Sequence, residues 1–345
     1  MTADIEHLTA DIRNEALKIG FALSGFAPAG KTPYISYFHD WLRDGLHGEM
    51  RYLKRQAEKR GNPEMVLPGV RSVVVAALNY YSGEEAPAFP LTGRISRYAL
   101  GGDYHSAVLS RLDHLLRFIK RRVPGANGCC CADTGPVMEK VWGAETSVGW
   151  IGKHTGLLSR ELGTSVFLGV ILLDIPLAYS GRSKTFCGAC RRCLDACPTG
   201  ALTPYRLDAR KCLSYLTIEF RGSVPPEIRP LAGNRIFGCD ECLNACPWNR
   251  FAVKTTVSEL IPRKENIAPD LLALAGLSRE AFERRFAGSP VLRATRDGFV
   301  RNVMIALGNS RSAEAVPALK AALSDESLLV REHAEWAINQ LGVRG

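Results

Sequence analysis

This 345-residue chain has no apolar run long enough to cross a bilayer. Its longest candidate, residues 166–175, falls well short of the roughly 20 residues that a spanning helix needs. The N-terminal Met-Thr-Ala-Asp-Ile-Glu-His lacks a basic segment leading into an apolar one, and it has no twin arginine, so no export signal is expected. No glycine-rich dinucleotide fingerprint is present either. Residues 149–156 contain glycines and a lysine, but not at the spacing of a phosphate-binding P-loop. With 46% hydrophobic and 23% charged residues, the composition is that of an ordinary soluble protein of two or three domains. The net charge of +9 permits a polyanionic partner without requiring one.

Cysteine is what the chain has in quantity: 11 residues, eight of them between positions 187 and 246. Cys187-Gly-Ala-Cys190-Arg-Arg-Cys193-Leu-Asp-Ala-Cys197-Pro198 has the C-x2-C-x2-C-x3-C-P spacing of an iron–sulfur loop. In that pattern the first three thiolates hold one cubane and the fourth reaches the other. Cys239-Asp-Glu-Cys242-Leu-Asn-Ala-Cys246-Pro247 is the reciprocal run. Cluster one is therefore expected on Cys187, Cys190, Cys193 and Cys246, and cluster two on Cys197, Cys239 and Cys242. Cys212, the one other cysteine between the runs, is the expected eighth ligand. Two zinc sites could use the same thiolates, but zinc does not require this spacing. A disulfide framework fits badly in a long chain with no secretory features. Reduced thiols place the expected compartment in the cytoplasm.

Ahead of the clusters, strands and helices alternate to about residue 176, which predicts an α/β domain. Helical spacing over 4–19 leads into an apolar strand at 21–26, and a second helical region runs over 34–60. That region ends in the basic string Lys54 to Arg60, which reads as a solvated face or an anion contact. Residues 70–80 form a strand buried on both faces. A polar loop over 93–105, with Gly101 and Gly102 allowing a close backbone approach, precedes an amphipathic helix over 106–122. Cys129, Cys130 and Cys131 read as a short strand of small apolar residues, because alternate side chains face opposite ways. Asp133-Thr-Gly-Pro136 is then a turn into a helix over 139–148, with Pro136 suited to its first turn. Asp133 is either a turn residue or a carboxylate at a ligand-binding strand end, and the pattern alone does not choose. After the clusters, 260–277 looks like a linker. In the tail, Val300-Arg-Asn-Val-Met-Ile-Ala-Leu-Gly308 resembles Val330-Arg-Glu-His-Ala-Glu-Trp-Ala-Ile338, a helical repeat of HEAT type.

Two adjacent clusters form an electron wire, so a redox site is expected in the first domain. The ordered set Arg97-Tyr-Ala, Gly102-Asp-Tyr-His105, Asp133-Thr-Gly, Gly149-Trp-Ile-Gly-Lys153, Cys187 to Cys197-Pro-Thr-Gly-Ala201 and a helical tail resembles the epoxyqueuosine reductase family over almost the whole chain. The resemblance implies three parts: a cobalamin-binding catalytic α/β domain (1–176), a ferredoxin-like domain with two [4Fe–4S] clusters (177–265), and a HEAT-like repeat domain contacting tRNA (266–345). It implies reduction of epoxyqueuosine to queuosine at the tRNA wobble position, the last step of queuosine biosynthesis, by Co(I) cobalamin fed by the clusters. Two electrons and two protons enter, and an alkene and water leave.

By the same resemblance Asp133 is the proton donor, kept neutral in an apolar pocket. Arg60, Ser96, Arg97, Lys153, His154 and Ser214 become cobalamin contacts beside Asp133. His105 is not implied as a cobalt ligand and defaults to a surface or core histidine. Expected partners are the anticodon stem-loop and an external low-potential electron donor, with no membrane and a monomeric chain. Candidate phosphate contacts are Arg191, Arg192, Arg210, Lys211, Arg221, Arg293, Arg296, Arg301 and Arg331. A reductive dehalogenase-type enzyme and a ferredoxin-type carrier are the competing readings. The first lacks its usual export signal here, and the second does not need so large a first domain.

Overall fold

A computed structural model describes residues 2–84 and 90–342. Its frame is a four-stranded sheet of β1 (Leu23–Pro28), β2 (Ser72–Asn79), β3 (Gly128–Cys131) and β4 (Val166–Leu173), in the order β1-β2-β4-β3. Every pairing is antiparallel: Leu23 faces Ala77, Ser72 faces Leu173, and Cys131 faces Val170. The first domain is thus of the α+β kind within the α/β (α+β) class expected from its alternating elements. All eight residues of β2 are buried. Burying one such side chain contributes about 1.5–3 kcal/mol, so this strand fixes both faces. Val74, Ala76 and Leu78 pack with Ile12, Val108, Leu112 and Leu115 of the helices Thr2–Ile19 and Tyr104–Arg122. Val73, Val75 and Ala77 turn the other way, toward Val137, Trp142 and Leu157.

Several boundaries depart from expectation. Residues 34–60 break into three helices, Ile35–Arg43, Arg51–Arg55 and Ala57–Gly61, with Gly45 and Gly48 at positive φ between the first two. Residues 149–156 are not all loop, because Trp150–Ile151 pairs with Leu157–Leu158. The helix after Asp133 begins at Glu139, so Pro136 lies in the preceding turn and not in the helix. Gly101 and Gly102 make room for a neighbouring element: a methyl at Gly101 would lie 2.8 Å from the Leu260 carbonyl.

The largest correction concerns the tail. The two similar segments form the helices Thr295–Asn309 and Leu328–Gln340, which cross so closely that a methyl at Gly308 would lie 2.8 Å from the Ala337 Cα. They do not stand apart behind a linker. Leu271, Leu274 and Ala275 of the supposed linker share one core with Ile95, Ala99 and Leu100 of the first domain and with Phe299, Val303 and Leu307. A short parallel pairing of Arg235–Phe237 with Arg94–Ile95 ties the cluster segment to the same region.

Arg301 is fully buried, which excludes it as a phosphate contact. Its guanidinium donates to the carbonyls of Leu216 (2.6 Å), Phe220 (3.0 Å) and Gly222 (2.7 Å). Asn302 donates to the carbonyls of Thr217 and Ile236, both at 2.9 Å. These carbonyls follow Cys212 and precede Cys239, so the tail helix holds the backbone between these two cysteines. Burial lowers the Arg301 pKa to about 10, leaving it charged at neutral pH. Each orphaned buried acceptor costs about 1–3 kcal/mol. Arg301→Met should therefore destabilise the protein by at least about 3 kcal/mol in urea unfolding and lower its iron content. Removal of residues 290 onward should prevent folding and not merely weaken tRNA binding; a soluble truncated chain with full iron content would contradict this.

Candidate functional site

The candidate site opens where β3 ends and β4 begins, on one edge of the antiparallel sheet. A cavity of about 1770 Å³ lies there, and a second of about 360 Å³ adjoins it. Both are lined by Tyr98, Tyr104, Asp133, Glu139, Lys140 and Thr155. The larger exceeds the roughly 300–1,000 Å³ typical of small-ligand pockets. The smaller reaches Cys197, Cys212, Cys239 and Cys242.

Asp133 sits at φ 57°, a left-handed conformation uncommon for a residue with a side chain. Its carboxylate is 64% exposed and turned into the cavity. Oδ2 accepts from the Tyr104 hydroxyl at 2.6 Å and lies 3.2 Å from His105 Nε2. His105 Nδ1 is 2.7 Å from Asp103 Oδ1. Tyr104 is held by stacking on Phe167, with ring centroids 4.2 Å apart. The Asp133 backbone N–H donates to Glu139 Oε1 at 2.9 Å. The hydrogen bond from His105 holds the Asp133 carboxyl down at about 2, while the same contact raises His105 above its ordinary value. Burial pushes Glu139 up to about 7. Against the expectation that Asp133 keeps a proton, its contacts with His105 and Tyr104 in this geometry favour the carboxylate form. His105 is likewise a member of the site and not a surface residue.

The other expected contacts divide. Ser96, His154 and Ser214 line the smaller cavity, and Arg60 lines the larger. Arg60 is buried with its Nε unpartnered. His154 accepts the Gly156 N–H on Nδ1 at 3.0 Å, and burial lowers its pKa to about 4. The neutral ring therefore carries its proton on Nε2, which has no partner among the described residues. Gly152 and Gly156 leave the room this ring needs, since a methyl on either would approach it within about 3 Å. Lys153 does not reach the cavity: its ammonium donates to the carbonyls of Gly188 (2.7 Å) and Cys190 (2.9 Å). Arg97 also points elsewhere, toward Asn244 Oδ1 at 3.1 Å and over the Tyr81 ring. Its backbone N–H and the Ser96 hydroxyl both donate to Asp240, next to Cys239.

The thiols fall into two quartets. Cys246 is influenced by Cys187, Cys193 and Cys190, and Cys242 by Cys212, Cys239 and Cys197 along with Asp240. Burial is the main cause that raises the thiols of Cys193, Cys212, Cys239, Cys242 and Cys246, with Cys239 and Cys246 at about 11. A thiolate ligand must therefore be compensated by the iron it binds. The model for a 4Fe-4S double cluster binding domain matches residues 186–249, and the model "Epoxyqueuosine reductase QueG, DUF1730" matches residues 60–134. The chain is 40% identical to the epoxyqueuosine reductase of Pseudomonas aeruginosa, over 98% of this chain and 96% of that protein. It is 38% identical to the Escherichia coli enzyme over 98% and 90%.

The chain belongs to the epoxyqueuosine reductase family.

A crystal structure of an epoxyqueuosine reductase with an epoxyqueuosine-modified tRNA-Tyr stem loop superposes with a TM-score of 0.90 at 29% identity, covering 98% of this chain and 91% of that one. A Bacillus subtilis structure, described with its catalytic aspartate loop swung out of the active site, gives 0.89 at 28% identity, over 97% and 90%. As a member of this family the chain is an oxidoreductase carrying two [4Fe–4S] clusters.

Sequence reasoning missed Tyr104 and Glu139 as site residues, and also the aromatic wall of Tyr34, Tyr37, Phe38 and Trp41. The closely spaced aromatics of 34–41 were the available signal. Iron analysis tests the quartets: Cys187→Ala and Cys246→Ala should lose the same cluster, and Cys212→Ala should match Cys239→Ala. A Cys212→Ala protein with wild-type iron and cluster spectrum would remove Cys212 from the ligand set.

Proposed function

We propose that this chain reduces epoxyqueuosine to queuosine at the wobble position of tRNA, with cobalamin held between the clusters and Asp133. The observation that carries this reading is one continuous space with Cys197, Cys212, Cys239 and Cys242 at one end and Asp133 at the other. Together with the adjoining larger cavity its volume suits a macrocycle, and Arg60 Nε, Trp150 Nε1 and His154 Nε2 are buried donors around the two that lack partners among the described residues. Arg60, Ser96, His154 and Ser214 would hold the cofactor. When bound, cobalamin supplies a reduced cobalt nucleophile that no amino-acid side chain can replace.

The chain's own residues manage the protons. Opening an epoxide places negative charge on its oxygen. Asp133 faces the cavity and takes its proton from His105, whose charged form is favoured by Asp133 and Asp103 at its two nitrogens. Tyr104 fixes the carboxylate, and Glu139, protonated below about pH 7, holds the second proton needed to release water. A wobble nucleotide has to leave its stack to enter the cavity. The aromatic wall offers it surfaces, and Arg55, Lys59, Arg182 and Arg293 stand along the same lining to meet the phosphates. The helices 295–309, 316–322 and 328–340 serve as a HEAT-like buttress. Of the basic residues read from sequence, Arg296 is buried against Asp325, Arg210 is paired with Asp208, and Arg221 and Arg331 bind backbone carbonyls.

The deciding experiment is anaerobic incubation with an epoxyqueuosine stem-loop, cobalamin and a strong reductant, followed by nucleoside analysis; queuosine should form, and unchanged substrate would refute the reading. Asp133→Asn should retain cobalamin, seen by its absorption, while turnover falls by about 10²–10⁴-fold. Glu139 is neutral below its raised pKa, so the rate should decline as pH rises through about 7. Glu139→Gln keeps an acceptor for the Asp133 N–H but cannot titrate, and should remove this decline.

A further inference from the structure

The two cysteine quartets face different surroundings. Cys197, Cys212, Cys239 and Cys242 line the cavity with Asp133, whereas Cys187, Cys190, Cys193 and Cys246 line neither cavity. Cys190 is exposed, on a loop whose Gly188 and Ala189 are exposed as well. Electrons for a reaction at Asp133 therefore have an outer terminus at the Cys190 loop.

The surface around that loop is unlike ordinary solvated surface. Trp150 and Trp248 pack on Cys246 and Cys187, and the aromatic cluster continues outward through Phe186 (5.6 Å from Trp248) to Phe251 (5.6 Å from Trp248). Phe186 and Phe251 are 46% and 42% exposed, too much for core residues. Around them the charge is positive. Lys184 and Arg192 are exposed and make no ion pair among the described residues, and Arg250 lies over the Phe251 ring at 4.6 Å. Arg191 is paired with Asp195, the acid of this loop. Lys153 braces the loop from beneath through the carbonyls of Gly188 and Cys190. An apolar centre inside a basic rim, above an exposed cluster ligand, matches a small acidic redox protein.

We propose that this face docks a small acidic ferredoxin, which delivers electrons to the Cys187–Cys190–Cys193–Cys246 cluster. The inference rests on the reductase reading above. Each reduced ferredoxin gives up one electron and leaves oxidised, and the outer cluster goes from its oxidised to its reduced state. Two such deliveries, passed through the inner cluster, supply the two electrons that with two protons convert an epoxide to an alkene and water. Docking on this side leaves the cavity mouth free for the nucleic acid.

Stopped-flow mixing of the cluster-loaded protein with a chemically reduced acidic [2Fe–2S] ferredoxin tests the proposal, with cluster bleaching as the signal and no tRNA present. At low ionic strength, Lys184→Glu with Arg192→Glu should slow reduction by about 10-fold or more, and salt should slow the wild type similarly. The milder pair Lys184→Gln and Arg192→Gln should fall between, with iron content unchanged. Dithionite should reduce all three proteins at equal rates. Equal rates with ferredoxin, no salt dependence, or charge dependence seen only with a flavodoxin hydroquinone would overturn it. So would loss of stem-loop affinity in the reversal variant without loss of ferredoxin rate, which would make this rim a nucleic-acid contact. Failure to form queuosine with a chemical reductant would instead strike the reductase reading and leave the bleaching result standing.

Discussion

A buried guanidinium with carbonyl partners and no carboxylate holds this molecule together. Arg301 stays charged because the helix Leu213–Ile218 and the turn after it aim their free carbonyls at it, and a cation is favourable at a helix C-terminus. Asn302 extends the arrangement to the strand before Cys239. The result is directional: the tail helix fixes the peptide segments that follow Cys212 and precede Cys239. These two cysteines in turn border the cavity, so a residue about 90 positions downstream of Cys212 (301 − 212) bears on the position of the redox centre. The tail thus shares one core with the first domain and braces the backbone beside the smaller cavity.

The cavity depends on a separation of titrations among close neighbours. Asp133 and Glu139 are joined by one hydrogen bond, yet one is held near 2 and the other is pushed to about 7. The difference is environmental. Asp133 is open to the cavity and bonded by His105 and Tyr104, whereas Glu139 is enclosed beside that charge. Two carboxyls whose pKa values are pushed apart within one pocket can act as proton relay and proton donor there. The positive φ at Asp133 is part of the same design, because it turns the carboxylate off the strand direction and toward His105.

How much of this was legible in the sequence follows from how local each signal is. Cysteine spacing is local, and it singled out thiols that the fold sets near one another. The strand at 72–79 was legible as an unbroken apolar run. Its antiparallel partners were not, because burial on both faces hides direction. Asp133 could be singled out from its motif, but its charge state depends on Tyr104 and His105, which lie 29 and 28 positions away. The basic residues misled most. Arg296 and Arg301 look like surface charges on an amphipathic helix, and only the packed structure reveals their acceptors. Lys153 stood next to His154 in one motif, yet the backbone turn at Thr155, with φ 67°, sends the two side chains to different tasks.

The excess of positive charge can now be divided by place. Part of it is structural, neutralised by carbonyls or by acids such as Asp325 and Glu332. Another part stands at the cavity mouth, where Arg293 is braced by Glu219 and lies over Tyr52. A third part rims the Cys190 loop. The second and third serve different needs because they border different quartets. A polyanion that blocked the outer cluster would stop its own reduction, so substrate and reductant are best received on separate faces. The arrangement of the cysteines suits that, since Cys197, Cys212, Cys239 and Cys242 line the smaller cavity while Cys190 is exposed away from it.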